Sequence, residues 1–172
     1  LLKPFSLHNI GVTSLIKSKT FVGESFPLKL EVKIQNLGLY NETFTFTLYA
    51  NTTIVTQQVI SLSRRNSTVT ILIWNTASLL KGNYTLSVVA STVPDETDST
   101  DNGLSCLVTV TIPGDLQGDF IVDIYDAILL SGAYNTVPTS SNWNPDADIN
   151  GDGIVDIYDA ITLSGHYNEH YP

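Results

Sequence analysis

The chain has 172 residues, of which 42% are hydrophobic, and a formal net charge of −9. That apolar share suffices for a real core, while no apolar run is long enough to span a bilayer. The acidic balance argues against a nucleic-acid partner, because the acidic half offers no basic patch to displace counterions. All eight Lys and Arg precede Gly82, whereas ten of the seventeen acids follow Pro113. The C-terminal part therefore needs cations to be compact, since two carboxylates 6 Å apart repel by roughly 3 kcal/mol at an effective dielectric near 20. Cys106 is the lone cysteine, so no internal disulfide can form, and its alternating context predicts a buried strand thiol. The chain contains no methionine, even at position 1, and is read as lacking its original start together with any signal peptide.

Residues 1–8 form an apolar arm interrupted by Pro4, either loose or added as an extra strand. From Ile10 the spacing is two. Ile10 and Val12 begin a short strand; Phe26, Leu28, Leu30, Val32 and Ile34 then alternate with polar residues, one face dry and one wet. Phe44, Phe46, Leu48 and Ala50 alternate with Thr43, Thr45, Thr47 and Tyr49 in the same way. Further strands are expected over Ile54–Leu62, Thr68–Trp74, Tyr84–Ala90 and Cys106–Ile112. Polar turns at Asn36-Leu37-Gly38, Asn51-Thr52, Arg64–Asn66 and Lys81-Gly82-Asn83 separate them. About seven short strands with such turns predict an immunoglobulin-like β-sandwich over residues 9–112.

The turn Asn36–Gly38, the strand end Trp74-Asn75-Thr76 and the run Lys81-Gly82-Asn83-Tyr84-Thr85 carry a resemblance. So does the acidic stretch Pro94–Asp98 leading to Asp101-Asn102. Together they resemble CARDB, the cell-adhesion-related domain of bacterial and archaeal surface proteins. The resemblance implies surface display or adhesion and transfers no catalytic residue.

Pro113-Gly114 turns directly into the next segment without a flexible linker, which predicts a fairly fixed orientation of the 113–172 domain. Asp148 to Asp159 reads D-I-N-G-D-G-I-V-D-I-Y-D. Asp148, Asn150, Asp152, Asp156 and Asp159 occupy positions 1, 3, 5, 9 and 12 of a calcium-loop template, with Gly153 at the sharp turn of position 6. The main-chain carbonyl of Ile154 completes an all-oxygen shell for a hard dication, and Val155 plugs the loop onto a small core. The same run recurs thirty-three residues earlier, where sixteen of twenty-one positions from Asp115 to Asn135 are identical to Asp148–Asn168. A duplicated loop followed by a duplicated apolar run is an internal repeat. Two solvated Asp-rich turns are the alternative.

Two such loops, each ending in Asp and followed by a short helix, resemble a dockerin, an extracellular calcium-dependent module that docks onto a cohesin. By motif position the resemblance implies Asp115, Gln117, Asp119, Asp123 and Asp126 as ligands of the first loop, with the carbonyl of Ile121 matching that of Ile154, and so two calcium ions. Phe120 stands where Gly is expected, so the first loop should bind more weakly or shift its turn. Ile124-Tyr125 and Ile157-Tyr158 replace the Ser-Thr pairs that family members often use for recognition.

Asp123 and Asp156 are placed to cap helices, with Asp126 and Asp159 three residues on as in a capping box. Ile124, Ala127, Ile128 and Leu130 are expected to form an apolar face, as are Ile157, Ala160, Ile161 and Leu163, with Gly132 and Gly165 ending the helices. Each helix is too short to stand alone, so the two should pack face to face. Trp143 is expected to cover that pair or to meet a partner.

Four N-x-[ST] sequons, at Asn41, Asn51, Asn66 and Asn83, fall at expected turns and suit glycosylation of an exported chain; plain turn formation is the other reading. His166 and His170 are spaced for one helical face, but Gly165 stops the helix and no third zinc ligand is evident. No nucleophile–base pair accompanies the aspartates, which argues against an enzyme. The reading is a mainly β, extracellular or cell-surface calcium-binding protein. Its partner is either itself, in head-to-tail fibres joined through residues 1–7 or the faces of Ile124, Tyr125, Ile157 and Tyr158, or a cohesin-like domain on a scaffold.

Overall fold

Strict alternation builds the strands, because successive side chains of an extended chain point to opposite faces. The computed structural model describes residues 7–172. The arm expectation for residues 1–6 lies outside them. The strands are β1 (Ile10–Lys17), β2 (Phe21–Gly23), β3 (Pro27–Asn36), β4 (Glu42–Ala50), β5 (Thr53–Leu62), β6 (Ser67–Asn75), β7 (Gly82–Ala90) and β8 (Gly103–Thr111). A three-stranded sheet has the order β1-β3-β6, and a five-stranded sheet the order β2-β8-β7-β4-β5. The helices α1 (Ile124–Ala133) and α2 (Ile157–Gly165) follow, so a mainly β region precedes a small helical one, as expected.

Three expectations need correction. The strands number eight among the described residues, not about seven, because β2 has only three residues, too few to show alternation, and pairs parallel to β8. β1 runs on to Lys17 past a register shift between Val12 and Ser14 that hides its periodicity. β7 and β8 begin at Gly82 and Gly103, earlier than expected, which moves Asn83 from a turn into a strand.

By compactness the chain divides into two units. One comprises the residues up to Lys17, Leu30–Leu72 and Thr85–Cys106; the other comprises Ser18–Lys29, Ile73–Tyr84 and Leu107–Pro172. In the first, Leu30, Val32, Ile34, Phe46, Leu48, Leu86 and Val88 are fully buried, so the dry faces expected for β3 and β4 lie in the core, whereas β5 is exposed along most of its length. Asn36 is buried and fully employed: its amide donates to the carbonyls of Tyr40 and Leu62 at 2.8 and 3.1 Å, and its oxygen accepts from Gly38 N at 3.0 Å. Gly38 is required there, since a Cβ would lie 2.6 Å from the Leu7 carbonyl oxygen. Cys106 is half-buried, not buried, because the strand presents it toward a partly open face; burial pushes its thiol pKa up.

In the second unit a core forms from Ile112, Leu116, Val122, Leu130, Ala133, Ala147, Ile149, Val155 and Leu163. Phe26 and the half-buried Trp143 pack against it, so Trp143 covers this core. Val122 and Val155, the eighth residues of the two loops, are fully buried. The helix faces differ from expectation: Ile124, Ile128, Ile157 and Ile161 are 53%, 56%, 53% and 58% exposed, and the buried face of α1 is Asp126, Leu130 and Ala133. Ala127, Leu130, Ala160 and Leu163, with Ser164 and Tyr167, instead line an open apolar groove of about 390 Å³. Gly132 lies inside α1, whose cap is Tyr134, and His166 caps α2.

Gly118 and Gly151 occupy equivalent loop positions with φ 76 and 78, but an added Cβ would meet the Phe21 ring at 2.2 Å only in the first. Gly151→Ala should therefore cost only the left-handed backbone term of about 1–2 kcal/mol. Gly118→Ala should cost at least about 1 kcal/mol more through overpacking. Denaturant unfolding of both variants in calcium checks the difference.

Candidate metal centre

Each loop is a set of carboxylates wrapped by its own main chain. In the first, Asp115 accepts from the N–H groups of Gln117, Gly118 and Phe120 at 3.2, 2.7 and 2.9 Å and from the Thr111 hydroxyl. In the second, Asp148 accepts from Gly151, Asp152 and Gly153 at 2.9, 3.1 and 3.0 Å. Asp119 and Asp152 turn the chain by accepting from Ile121 N and Ile154 N at 3.0 and 2.9 Å. Their second oxygens take the side-chain amides of Gln117 and Asn150 at 2.7 and 3.0 Å.

The loops close onto the helices as the capping motif foresees. Asp123 and Asp156 accept from Tyr125 N and Tyr158 N at 2.7 and 2.8 Å. Asp126 and Asp159 return the bond to Asp123 N and Asp156 N, both at 2.9 Å, so both capping boxes are complete. The other oxygen of each reaches back across its loop, Asp126 to Leu116 N at 2.8 Å and Asp159 to Asn150 N at 3.1 Å. All ten side chains singled out as ligands thus belong to two matching loops, with Asp115, Asp126, Asp148 and Asp159 buried. Among the described residues no three His, Cys, Asp or Glu side chains are gathered into a metal-holding group; the aspartates are turned to main-chain N–H donors instead.

The repeats clasp each other. Asn135 N donates to the Val155 carbonyl at 2.7 Å, and Val155 N donates to the Thr136 carbonyl at 3.0 Å. Correspondingly, Asn168 N donates to the Val122 carbonyl at 2.8 Å and Val122 N to the Glu169 carbonyl at 2.9 Å. The segment after each helix therefore holds the eighth residue of the other loop. Asn135 and Asn168 make the required turns with φ 60 and 66, a conformation that asparagine tolerates better than most residues.

Electrostatics separate the two loops. Burial pushes the Asp126 carboxyl pKa above its ordinary value, the N–H groups of Asp123 and Leu116 oppose this, and the charges of Asp115 and Asp119 add to it. Burial likewise raises Asp148, opposed by the Lys19 ammonium and the loop N–H groups. Lys19 brings a positive group to the acidic C-terminal part, although every Lys and Arg precedes Gly82 in the sequence. Only 3% exposed, it donates to the main-chain carbonyls of Asp148 and, at 3.1 Å, Ile149, and burial pushes its own pKa down. Asp146 accepts from Thr20 N and Phe21 N at 2.6 and 2.9 Å. Neither Lys19 nor Asp146 stood out in the sequence; Lys19 lies 129 residues from Asp148 and belongs to no motif. An oxygen-only donor set with buried carboxylates short of positive charge has the chemistry that a hard dication satisfies.

Phe120 keeps the loop turn at φ 65, close to φ 90 at Gly153, so the turn is conserved and not shifted. Its ring packs on Tyr171 with centroids 6.0 Å apart. Ile124, Tyr125, Ile157 and Tyr158 are 53%, 62%, 53% and 64% exposed at the starts of the helices. Asn41, Asn51, Asn66 and Asn83 are all exposed, the first three in turns or loops and Asn83 in β7. His166 bonds Glu169 at 3.0 Å, and His170 is exposed.

Residues 9–106 match the CARDB family, and the chain belongs to that family. Residues 113–166 match the dockerin type I domain. Both are non-catalytic modules. No curated protein matches the chain. Among solved structures, the crystal structure of the CARDB domain of a Pyrococcus furiosus protein, in complex with di-metal ions, is 20% identical with a TM-score of 0.55, covering 64% of this chain and 99% of that one. The solution structure of the same domain is 20% identical with a TM-score of 0.52, covering 62% of this chain and 97% of that one. The likeness shows the fold.

In metal-stripped protein Asp126 and Asp148 hold protons more tightly folded than unfolded. Their contribution to stability is thus lost as pH rises from the ordinary carboxylate value near 4 through the raised folded values. The helical circular-dichroism signal should accordingly be larger at about pH 5 than at about pH 7 without metal. Saturating calcium should reverse that order, because it binds the deprotonated form.

Proposed function

We propose that this member of the CARDB family is a non-enzymatic, extracellular or cell-surface protein with a structural or adhesive role. In this reading residues 113–172 are a domain ordered by two calcium ions that presents a contact face to a protein partner. The observation that carries the reading is the matched pair of loop–helix repeats, in which one buried aspartate both closes the loop and caps the helix. Asp115, Gln117, Asp119, Asp123 and Asp126 with the Ile121 carbonyl would hold one ion. Asp148, Asn150, Asp152, Asp156 and Asp159 with the Ile154 carbonyl would hold the other. Calcium supplies the positive charge that four aspartates per loop require.

Exposed Ile124, Tyr125, Ile157 and Tyr158, repeated on two equivalent helix starts, support a face for protein contact. Self-association draws further support from β6, an edge strand of its sheet, whose Val69, Ile71 and Ile73 are 54%, 47% and 58% exposed. An edge with apolar side chains invites another strand. Docking onto a cohesin-like domain is the second reading, favoured by the dockerin match over 113–166. Among the described residues no helix is long and apolar enough to cross a membrane. Exposure of Asn41, Asn51, Asn66 and Asn83 suits glycosylation, and glycopeptide mapping of native material should find glycans on this set alone.

Each calcium variant should act locally. Asp119→Ala and Asp152→Ala should each remove one ion by calorimetric titration, with the unaltered Phe120 loop binding more weakly than the unaltered Gly153 loop. Equal residual affinities would count against the distinction.

Tyr125→Ala/Tyr158→Ala should keep calcium stoichiometry yet weaken association with a second copy, measured by light scattering, by at least tenfold, in line with about 2 kcal/mol for a central tyrosine. Unchanged scattering, with binding to an immobilised cohesin lost instead, would favour the scaffold reading.

A further inference from the structure

The acidic loop before β8 has no role in the calcium repeat, yet it contains the least satisfied polar atoms among the described residues. Asn9 Oδ1, Asp101 Oδ1 and Asn102 Oδ1 are buried and accept no hydrogen bond there. Asn9 and Asn102 are only 8% and 5% exposed. A buried acceptor without a donor costs on the order of 1–3 kcal/mol, so three together call for an explanation.

The three oxygens belong to one network. Asn9 Nδ2 donates to Asp101 Oδ2 at 3.4 Å, and Val12 N donates to the Asp101 carbonyl at 2.8 Å. Glu96 accepts from Ile10 N at 2.7 Å through one oxygen, and from Val93 N and Asn102 Nδ2 at 3.0 and 3.1 Å through the other. Neither Glu96 nor Asp101 has an ion pair among the described residues. Two carboxylates and two carboxamides therefore share one hydrogen-bonded network that leaves three buried acceptor oxygens without a donor. A water molecule brings two donors and two acceptors; a cation accepts lone pairs only, which is what this surplus offers. Oxygen-only ligands select calcium or magnesium over thiolate- and imidazole-seeking metals. Glu96 and Asp101 are only partly buried, which leaves an ion a way in.

We propose that Asn9, Glu96, Asp101 and Asn102 form a further site for a hard divalent cation, separate from the loops of the C-terminal repeat. Burial raises the Asp101 pKa and neighbouring Asp98 and Glu96 push it higher against the Asn9 amide, the effect expected of a carboxylate group lacking its counter-charge.

The test is gadolinium line broadening in 15N-labelled full-length chain. The amides of Ile10, Gly11 and Asn102 should broaden at substoichiometric gadolinium and sharpen again on adding excess calcium. In Glu96→Gln/Asp101→Asn that broadening should vanish while the amides of Asp115–Asp126 and Asp148–Asp159 still broaden. Sharp Ile10, Gly11 and Asn102 amides in the unaltered chain, with the repeat broadened, would overturn the proposal and assign the orphan oxygens to water. This measurement on the unaltered chain decides the matter even if the variant misfolds. Broadening at Ile10, Gly11 and Asn102 without any in the repeat would sustain this site and defeat the reading of the repeat.

Discussion

Asp126 and Asp159 must satisfy two demands at once, and the second unit depends on their meeting both. One oxygen of each holds the main-chain N–H of its helix cap, and the other holds an N–H near the start of its loop. A single buried carboxylate thus ties loop entry, loop exit and helix start together. The N-cap side of the arrangement is worth about 1 kcal/mol per helix, too little for a helix of ten residues to stand alone. Burying the carboxylate also rotates the helix. With Asp126 inside, Leu130 and Ala133 at helical spacing must follow it, and Ile124 and Ile128 are left outside. The face proposed for partner contact is therefore a by-product of the carboxylate's position.

Clasping between the repeats explains why one loop–helix unit is insufficient. Val122 and Val155 are each pinned by the segment following the other helix, so each loop's interior is finished by its partner repeat. Lys19 and Asp146 then bind the segment around β2 to the second loop, and the Phe21 ring occupies the space that a side chain at Gly118 would need. The short strand β2, though weak as a strand, is fixed by polar and aromatic anchors outside its sheet.

Sequence patterning revealed most of this where one physical signal dominated. The alternating faces of β3 and β4 and both capping boxes were legible, because period and spacing are local properties. β2 was not, since three residues cannot display a period and its partner β8 is far along the chain. The orientation of α1 and α2 departs from the helical pattern of the sequence because hydrophobic spacing ranks isoleucine above aspartate for burial, while hydrogen bonding to two N–H groups reverses that order for Asp126 and Asp159. Lys19 carries no local sequence signal, because a buried lysine is recognised only by the carbonyls it meets. The network of Asn9, Glu96, Asp101 and Asn102 was visible only as an acidic stretch, since the unpartnered oxygens exist once the fold has brought Asn9 beside it.

Phe120 shows how a loop can break a local rule and still keep its shape. A phenylalanine at φ 65 costs about 1–2 kcal/mol relative to glycine. Relaxing that angle would release Phe120 N from Asp115, held at 2.9 Å, and unbind the first carboxylate of the loop. The ring is also engaged: it packs on Tyr171, whose N–H donates to the Phe120 carbonyl at 2.9 Å and whose own ring lies 5.2 Å from the Lys81 ammonium. Lys81 in turn pairs with Glu24 at 2.6 Å. The strained residue therefore anchors the C-terminal residues, and through them the segment from His166 to Tyr171 that holds Val122. Glycine would relax the turn but remove that anchor, so strain at position 6 of the first loop and order at the C-terminus are coupled properties of one side chain.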